Sequence, residues 1–277
     1  MDKKSRVPDR RAAEFRAIVY DYCEKYGRSF PWRETTDPYR IFVSEVMLQQ
    51  TQAPRVLLKY EPFISLFPDV FTLADASLHE VLSAWQGLGY NRRSLMLKQS
   101  AEIIVTRHGG IVPRDEESLV SLPGIGPSTA RGILAFAFNE PVILIETNIR
   151  AVFIHHFFFP QEEPVADSEL VPLIEKTLDI SNPGRWYNAL MDYGTFLKKA
   201  HKNPARRSAH HTIQSPFEGS IRQIRGALLR LLLKRVRVPE SEIPRALRCD
   251  SDLLGEILAQ LEQEKIIVRK DGNVAIA

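Results

Sequence analysis

Apolar residues return three and four positions apart over 13–26, 41–58, 78–85, 92–107, 128–138, 168–178 and 186–198, with Pro, Gly and Asp between the stretches. That period puts one apolar stripe on each segment and predicts amphipathic helices. Few segments alternate as strands do, so residues 1 to about 213 read as all-helical. Residues 201–216 are polar, basic and punctuated by proline, and they read as a linker. Beyond it the pattern changes. Helices are expected over 219–236, 240–247 and 251–263, then two short alternating strands joined by Asp271-Gly272, a strong hairpin turn signal. Three helices followed by a hairpin is the order of a winged helix.

The most informative break in the pattern is Ser121-Leu122-Pro123-Gly124-Ile125-Gly126-Pro127-Ser128-Thr129-Ala130. Two glycines between prolines join one helix to the next, and bare N–H groups at a helix start bind a phosphate. Gly124 and Gly126 are expected to free the backbone to turn and to approach a ligand. Pro127 suits the first helical turn, and Ser128 or Thr129 can cap it. The ligand expected there is a DNA backbone.

Composition narrows the classes without deciding among them. The chain has 277 residues and 44% hydrophobic content, enough for a sizeable core in one large or two modest domains. Net charge is only +3, so distribution matters more than the sum. Lys198, Lys199, Lys202, Arg206 and Arg207 lie in an acid-free stretch, and Arg222, Arg225, Arg230, Lys234, Arg235 and Arg237 form a second. Each run is open to two readings, a polyanion-binding face or a solvated surface. Two cysteines, Cys23 and Cys249, argue against a disulfide scaffold and read as packing residues in a reducing compartment. No apolar run approaches the roughly 20 residues a bilayer requires, and the N-terminus lacks an apolar signal core, so a cytoplasmic, nucleoid-associated protein without membrane contact is expected.

Leu122-Pro-Gly-Ile-Gly-x-x-Thr129-Ala resembles the helix-hairpin-helix of base-excision DNA glycosylases. Pro31-Trp32-Arg33, Asp37-Pro38-Tyr39, Ser44-Glu45-Val46-Met47-Leu48-Gln49-Gln50-Thr51 and Gly87-Leu88-Gly89-Tyr90 occur in the order and spacing of its MutY-type adenine glycosylase branch. The resemblance runs over roughly residues 14–198. It implies an all-α, two-lobed helix-hairpin-helix DNA glycosylase fold: one lobe of residues 30–145, a second of 1–29 with 146–213, and the active site between them. The winged-helix-like domain, 217–277, stands where longer members carry a Nudix-like domain. A monomer is expected, acting on double-stranded DNA with a mismatched or damaged base, with the winged-helix-like domain as a possible docking site for a protein partner.

Breaking a purine N-glycosidic bond needs a proton donor for the base and a fixed negative charge for an oxocarbenium-like sugar, so two carboxylates suffice. Glu45 lies in the apolar stretch Phe42-Val-Ser-Glu-Val-Met-Leu48, where an enclosing pocket would raise its pKa. By resemblance it is the catalytic glutamate that protonates adenine N7 and then helps to activate water. Glu146, in Glu146-Thr-Asn148-Ile-Arg150, stands where the family has Asp. It is either the stabilising carboxylate with one extra methylene or a helix-start acid bound to N–H groups.

The resemblance assigns Asn148 to orienting water or phosphate, and places Ser128 where strand-cleaving relatives have a Schiff-base lysine. A monofunctional enzyme follows. Ser128 as a plain cap is equally open. Gln50 and Tyr90 match residues that insert near the opposite base once the target is flipped, although Tyr90 can also be read as core. Thr51, Leu122, Gly124, Gly126 and Thr129 complete the expected DNA contacts. Trp32, Arg33, Leu48 and Asn188 match the adenine pocket, and Asp192 reads as structural. No cofactor is expected, because the family's iron–sulfur cluster needs four thiolates, and His201, His210 and His211 lack ligand spacing for zinc. The alternatives are a thymine, uracil or modified-base glycosylase, or a catalytically weak binder of damaged DNA.

Overall fold

The computed structural model describes residues 8–160, 163–212 and 216–277. Helices dominate, in the order α1 (Asp9–Tyr26), α2 (Pro38–Leu48), α3 (Ala53–Leu66), α4 (Val70–Asp75), α5 (Leu78–Trp85), α6 (Arg92–His108), α7 (Glu116–Val120), α8 (Pro127–Phe138), α9 (Thr147–Phe157), α10 (Asp167–Thr177) and α11 (Pro183–Ala200). After these come α12 (Ile221–Lys234), β1 (Val238–Pro239), α13 (Ile243–Leu247), α14 (Ser251–Gln263), β2 (Ile267–Lys270) and β3 (Asn273–Ile276). No described helix is long and apolar enough to cross a membrane.

Local chemistry accounts for the ends. Ser77 and Glu80 form a reciprocal capping box that starts α5, and Asp250 accepts from the N–H groups of Asp252 and Leu253 to start α14. Asp271 and Gly272, at φ 51 and 69, make the turn between β2 and β3, the conformation a two-residue hairpin demands. The sheet order is β1-β3-β2, all antiparallel, with Val238 opposite Val274 and Ile267 opposite Ile276.

Three expectations are corrected. The single helix over 41–58 is two helices, parted where Gln50 takes a left-handed φ of 53. The expected linker is partly built into the fold. Pro204–Arg207 form a 3-10 turn, Ala205 is buried, and Ser208 bridges Val165. Residues 213–215 of that stretch lie outside the described residues. The helix α9, which the periodicity does not reveal, caps on Glu146.

Two units emerge. One comprises Met1–Ile41, Arg114–Val120 and Ile125–Ile213; the other comprises Phe42–Pro113, Ser121–Gly124 and Gln214–Ala277. These bounds differ from divisions at 30 and 145. The helix α8 goes with α11, because Gly184 lets the two approach until an added Cβ would lie 3.0 Å from the Ala135 carbonyl oxygen.

The first unit's core joins Phe15 and Val19 of α1 to Ile149, Val152 and Phe153 of α9 and Trp186 and Leu190 of α11. In the second unit Leu78, Leu82 and Leu95 share one apolar cluster with Leu228, Leu229 and Leu232 of α12 and with Leu254 and Leu258 of α14. The segment after residue 216 is therefore packed on α5 and α6.

Candidate active site and nucleic-acid interface

In the first unit the candidate site is built around the start of α9. The Glu146 carboxylate accepts from the main-chain N–H of Asn148 at 2.8 Å and of Ile149 at 3.1 Å, both through Oε1. Its Oε2 accepts from Nδ2 of Asn148 at 3.2 Å. The helix-start reading is thus what is seen, and it leaves a carboxylate locked by three donors. Burial, the largest influence, pushes its pKa up, while these bonds and the Lys198 charge pull it partly back. Lys198 is half-buried and feels Glu146 in turn, so it belongs to this site and not to an outward basic face.

Behind Glu146 stands a polar chain. Asn148 Oδ1 accepts from Thr195 Oγ1 at 3.4 Å, and Thr195 Oγ1 accepts from Arg28 Nη2 at 3.3 Å. Arg28 donates through Nε to Asp192 at 2.7 Å. Gly194 permits the contact of α9 with α11, since a Cβ there would lie 2.3 Å from the Asn148 carbonyl oxygen.

Asp192 is 3% exposed and anchors the loop after α1. Burial tends to raise its pKa, but Arg33 and Arg28 outweigh that and hold the carboxyl below its ordinary value. Arg33 makes a two-pronged contact, Nη1 to Oδ2 at 2.9 Å and Nη2 to Oδ1 at 3.0 Å, and Nη1 also donates to the Arg28 carbonyl. Both its terminal nitrogens are committed to the framework. Beside it the rings of Phe30 and Trp32 stack at 4.8 Å and 6°, with the Arg33 guanidinium 5.1 Å from the Phe30 centroid. Trp32 is buried and Asn188, on α11, is half-buried.

Helix α8 starts on Gly126, which makes no side-chain cap, and Pro127 takes the first turn as expected. Neither Ser128 nor Thr129 is the cap. Ser128 is exposed and its hydroxyl donates to the Ile145 carbonyl at 3.4 Å, while Thr129 is half-buried. Gly126 has an ordinary extended backbone with nothing within 4 Å of a would-be Cβ. The turn therefore does not require glycine at this position.

The second unit carries the remaining candidates. Glu45 sits half-buried on α2 between Ser44 and Val46, which are buried. Leu48 is half-buried at the end of α2. Gly124 has φ 75, and a Cβ would meet Met96 at 2.9 Å, so turn and packing both require glycine. Leu122 is 2% exposed, so its side chain is core.

Gln50 and Tyr90 both adopt left-handed backbones, φ 53 and 48, Gln50 exposed and Tyr90 half-buried, so Tyr90 is not interior core. Between their loops lies Arg93, 8% exposed. Its Nη1 donates to the carbonyls of Val46, Met47 and Gln49 at 2.8, 2.8 and 2.6 Å, and its Nη2 to Thr51 Oγ1 at 2.9 Å and the Gly89 carbonyl at 3.2 Å. Thr51 is consequently engaged in holding the loop. A positive charge at the last carbonyls of α2 is favourably placed against the helix dipole. Burial lowers the Arg93 pKa to about 10. Sequence reasoning passed over Arg93, although Arg93, Leu97, Ala101 and Ile104 mark the buried face of α6: a charge on an apolar stripe was the available signal.

Acids pair with several of the basic side chains. In the second run, Arg225 pairs with Glu264 and Arg235 with Glu242. On the hairpin, Arg269 is held by Glu240 and approached by Glu262, so the wing is less cationic than its sequence implies. Lys199, Lys202 and Arg206 remain exposed. Among the described residues no group of three or more metal-binding side chains occurs.

The model of the HhH-GPD superfamily of base excision DNA repair proteins matches residues 43–171. Adenine DNA glycosylase of Buchnera aphidicola subsp. Baizongia pistaciae is 34% identical over 184 residues, 66% of this chain and 52% of that protein. The Mycobacterium tuberculosis H37Rv adenine DNA glycosylase is 44% identical over 132 residues, 47% of this chain and 43% of its own. The human adenine DNA glycosylase is 32% identical over 191 residues, 65% and 35% respectively. The chain thus spans about half, or less, of the length of these curated relatives.

Among solved structures, a thermostable thymine-DNA glycosylase superposes with a TM-score of 0.61 at 26% identity, over 67% of this chain and 87% of that one. An endonuclease III trapped on DNA shares the fold, with a TM-score of 0.55 at 16% identity over 76% and 92%.

Proposed function

We propose, from the premise that this chain belongs to the MutY-type branch of the HhH-GPD superfamily of base excision DNA repair proteins, that it is a monofunctional DNA glycosylase. Its substrate in this reading is double-stranded DNA in which adenine is mispaired with guanine or 8-oxoguanine. The observation that carries the proposal is Glu146, a carboxylate fixed by two main-chain N–H groups and one side-chain amide within reach of the Lys198 charge.

The reaction needs little else. Glu45, in its acid form, gives a proton to adenine N7. The C1′–N9 bond then breaks and its electron pair leaves with the base. Glu146 offsets the positive charge that develops on the sugar. The Glu45 carboxylate takes a proton from water as the oxygen bonds to C1′, returning the acid and leaving an abasic site. Ser128 cannot form a Schiff base, so the strand stays intact. Gln50 and Tyr90 meet the opposite strand, while the bare face at Gly126 and the exposed Lys199, Lys202 and Arg206 meet phosphates.

An iron–sulfur cluster does not fit this chain. Its two cysteines lie in different units, Cys23 beside the apolar cluster of the first and Cys249 beside that of the second, and four thiolates are required. No step runs through such a group.

The likeness to a thermostable thymine-DNA glycosylase supports a second reading, release of thymine or uracil from mismatches. Duplexes carrying A:G, A:8-oxoG, T:G and U:G, incubated with the protein and then treated with hot alkali, separate the two. Cleavage of only the adenine strand, and only after alkali, is expected. Cleavage confined to T:G and U:G would replace the first reading by the second, and binding without any cleavage would make the protein a damage binder.

A further inference from the structure

We infer that Arg222, supplied by the C-terminal segment, is a specificity-determining residue that sets the hydroxyl of Tyr90 toward a hydrogen-bond acceptor on the base opposite the target. The inference rests on the proposal that Tyr90 meets the opposite strand.

Three observations place the pair. Helix α12 is fixed to the body, not tethered, because Leu228, Leu229 and Leu232 share a cluster with Leu78 and Leu82 of α5 and Leu95 of α6. His79 Nε2 also lies 3.3 Å from the Leu233 carbonyl oxygen. The turn carrying Tyr90 runs between those same two helices, so Arg222, in the first turn of α12, arrives at it by rigid packing. Its Nη1 donates to the Tyr90 phenol oxygen at 3.2 Å and its Nη2 to the Pro216 carbonyl at 3.3 Å. Lastly, the Arg93 guanidinium lies 5.5 Å from the Tyr90 ring centroid, so one arginine holds the face of the ring and another its rim.

The chemistry gives this arrangement a use. A charged donor to a phenol oxygen polarises its O–H into a stronger donor. Tyr90 is held at φ 48, a left-handed backbone unfavourable for a tyrosine, so the surrounding structure keeps the ring where it is. An acceptor on a base, a carbonyl oxygen or a ring nitrogen, is the ligand such a donor selects. The segment after residue 216 thereby contributes to reading the opposite base through Arg222, independently of the Arg269 wing.

The test is a double-mutant cycle on the full chain. Affinity, by fluorescence anisotropy, and single-turnover base release are measured for duplexes with adenine opposite guanine and opposite cytosine, using wild type, Arg222→Gln, Tyr90→Phe and the double variant. The guanine-to-cytosine preference is expected to fall about tenfold in each single variant and no further in the double, the scale of one lost charge-assisted hydrogen bond. Thermal melting should be unchanged in Arg222→Gln, since Arg222 is only half-buried.

An unchanged preference in Arg222→Gln beside a reduced one in Tyr90→Phe overturns the inference. So do losses that multiply in the double variant, or an equal loss of affinity for every duplex, which marks a plain phosphate contact. An unchanged preference in Tyr90→Phe removes the assignment of its hydroxyl to the opposite strand, and the inference with it.

Discussion

Asn148 donates twice to Glu146, once from its main chain at 2.8 Å and once from its side chain at 3.2 Å. One residue thus fixes both oxygens of the carboxylate. Replacing Glu146 by Gln removes the charge while keeping the shape, and should slow base release about 100-fold with little change in duplex affinity. Glu146→Asp keeps a good helix cap and should stay within about tenfold of wild type. Single-turnover rates decide both.

The same carboxyl sets a pH limit. Burial raises the Glu146 pKa above 4.5, and the proposed role needs the ionised form. Activity should therefore fade on the acid side at a pH higher than an ordinary glutamate would give. The sign for stability is opposite: a raised folded-state pKa makes its contribution largest below the unfolded pKa and removes it as pH rises through the folded one. In Glu146→Gln the acid limb should move or vanish. A pH–rate profile unchanged by that substitution would assign the limb to another group.

For Glu45, half-buried on α2, the conservative change to Gln deletes the proton donor alone. Base release should fall by at least about 100-fold, and anisotropy should show DNA binding within about threefold of wild type. Residual activity near wild type would refute the assignment.

Asp192 carries two arginines at a position 3% exposed. Asp192→Asn leaves Arg28 and Arg33 facing a neutral amide, and breaking a buried pair from one side costs about 3–5 kcal/mol. Urea unfolding should show a lower midpoint with the slope preserved. Recovery of stability in a variant that also changes Arg33 to Met would tie the loss to the stranded charge.

Arg269 makes the opposite case. It is engaged by Glu240 and Glu262 on a partly exposed surface. Arg269→Ala should lower stability by no more than about 1 kcal/mol and change DNA affinity less than about twofold, whereas Lys199→Ala and Lys202→Ala should each reduce the salt dependence of binding by roughly one unit of slope.

Where a residue type forces its own geometry, the chain was readable before its structure. Asp271-Gly272 could only turn, and α5 and α14 begin where the Ser77–Glu80 box and the Asp250 cap place them. The split between α2 and α3 was not readable, because Gln49-Gln50-Thr51-Gln52 contains neither Gly nor Pro, and the Gln49 carbonyl beside the left-handed Gln50 is held by Arg93, 44 positions away. Helix α9 hid because Ile149-Arg-Ala-Val-Phe-Ile154 is nearly all buried and so shows no stripe. Glu45, Glu146 and Asn148 could be nominated from the sequence by residue type and neighbours. Long-range partners could not: Arg33 meets Asp192 across 159 positions, and Arg222 meets Tyr90 across 132, separations at which local pattern carries no information.

Leu78, Leu82 and Leu95 face the same apolar interior as the leucines of α12. Cutting the chain ahead of α12 would lay three large side chains open to water in the very helices that flank the Tyr90 turn. A chain trimmed there should thus aggregate, and with α12 to β3 present residues 217–277 should melt together with that turn as one cooperative body.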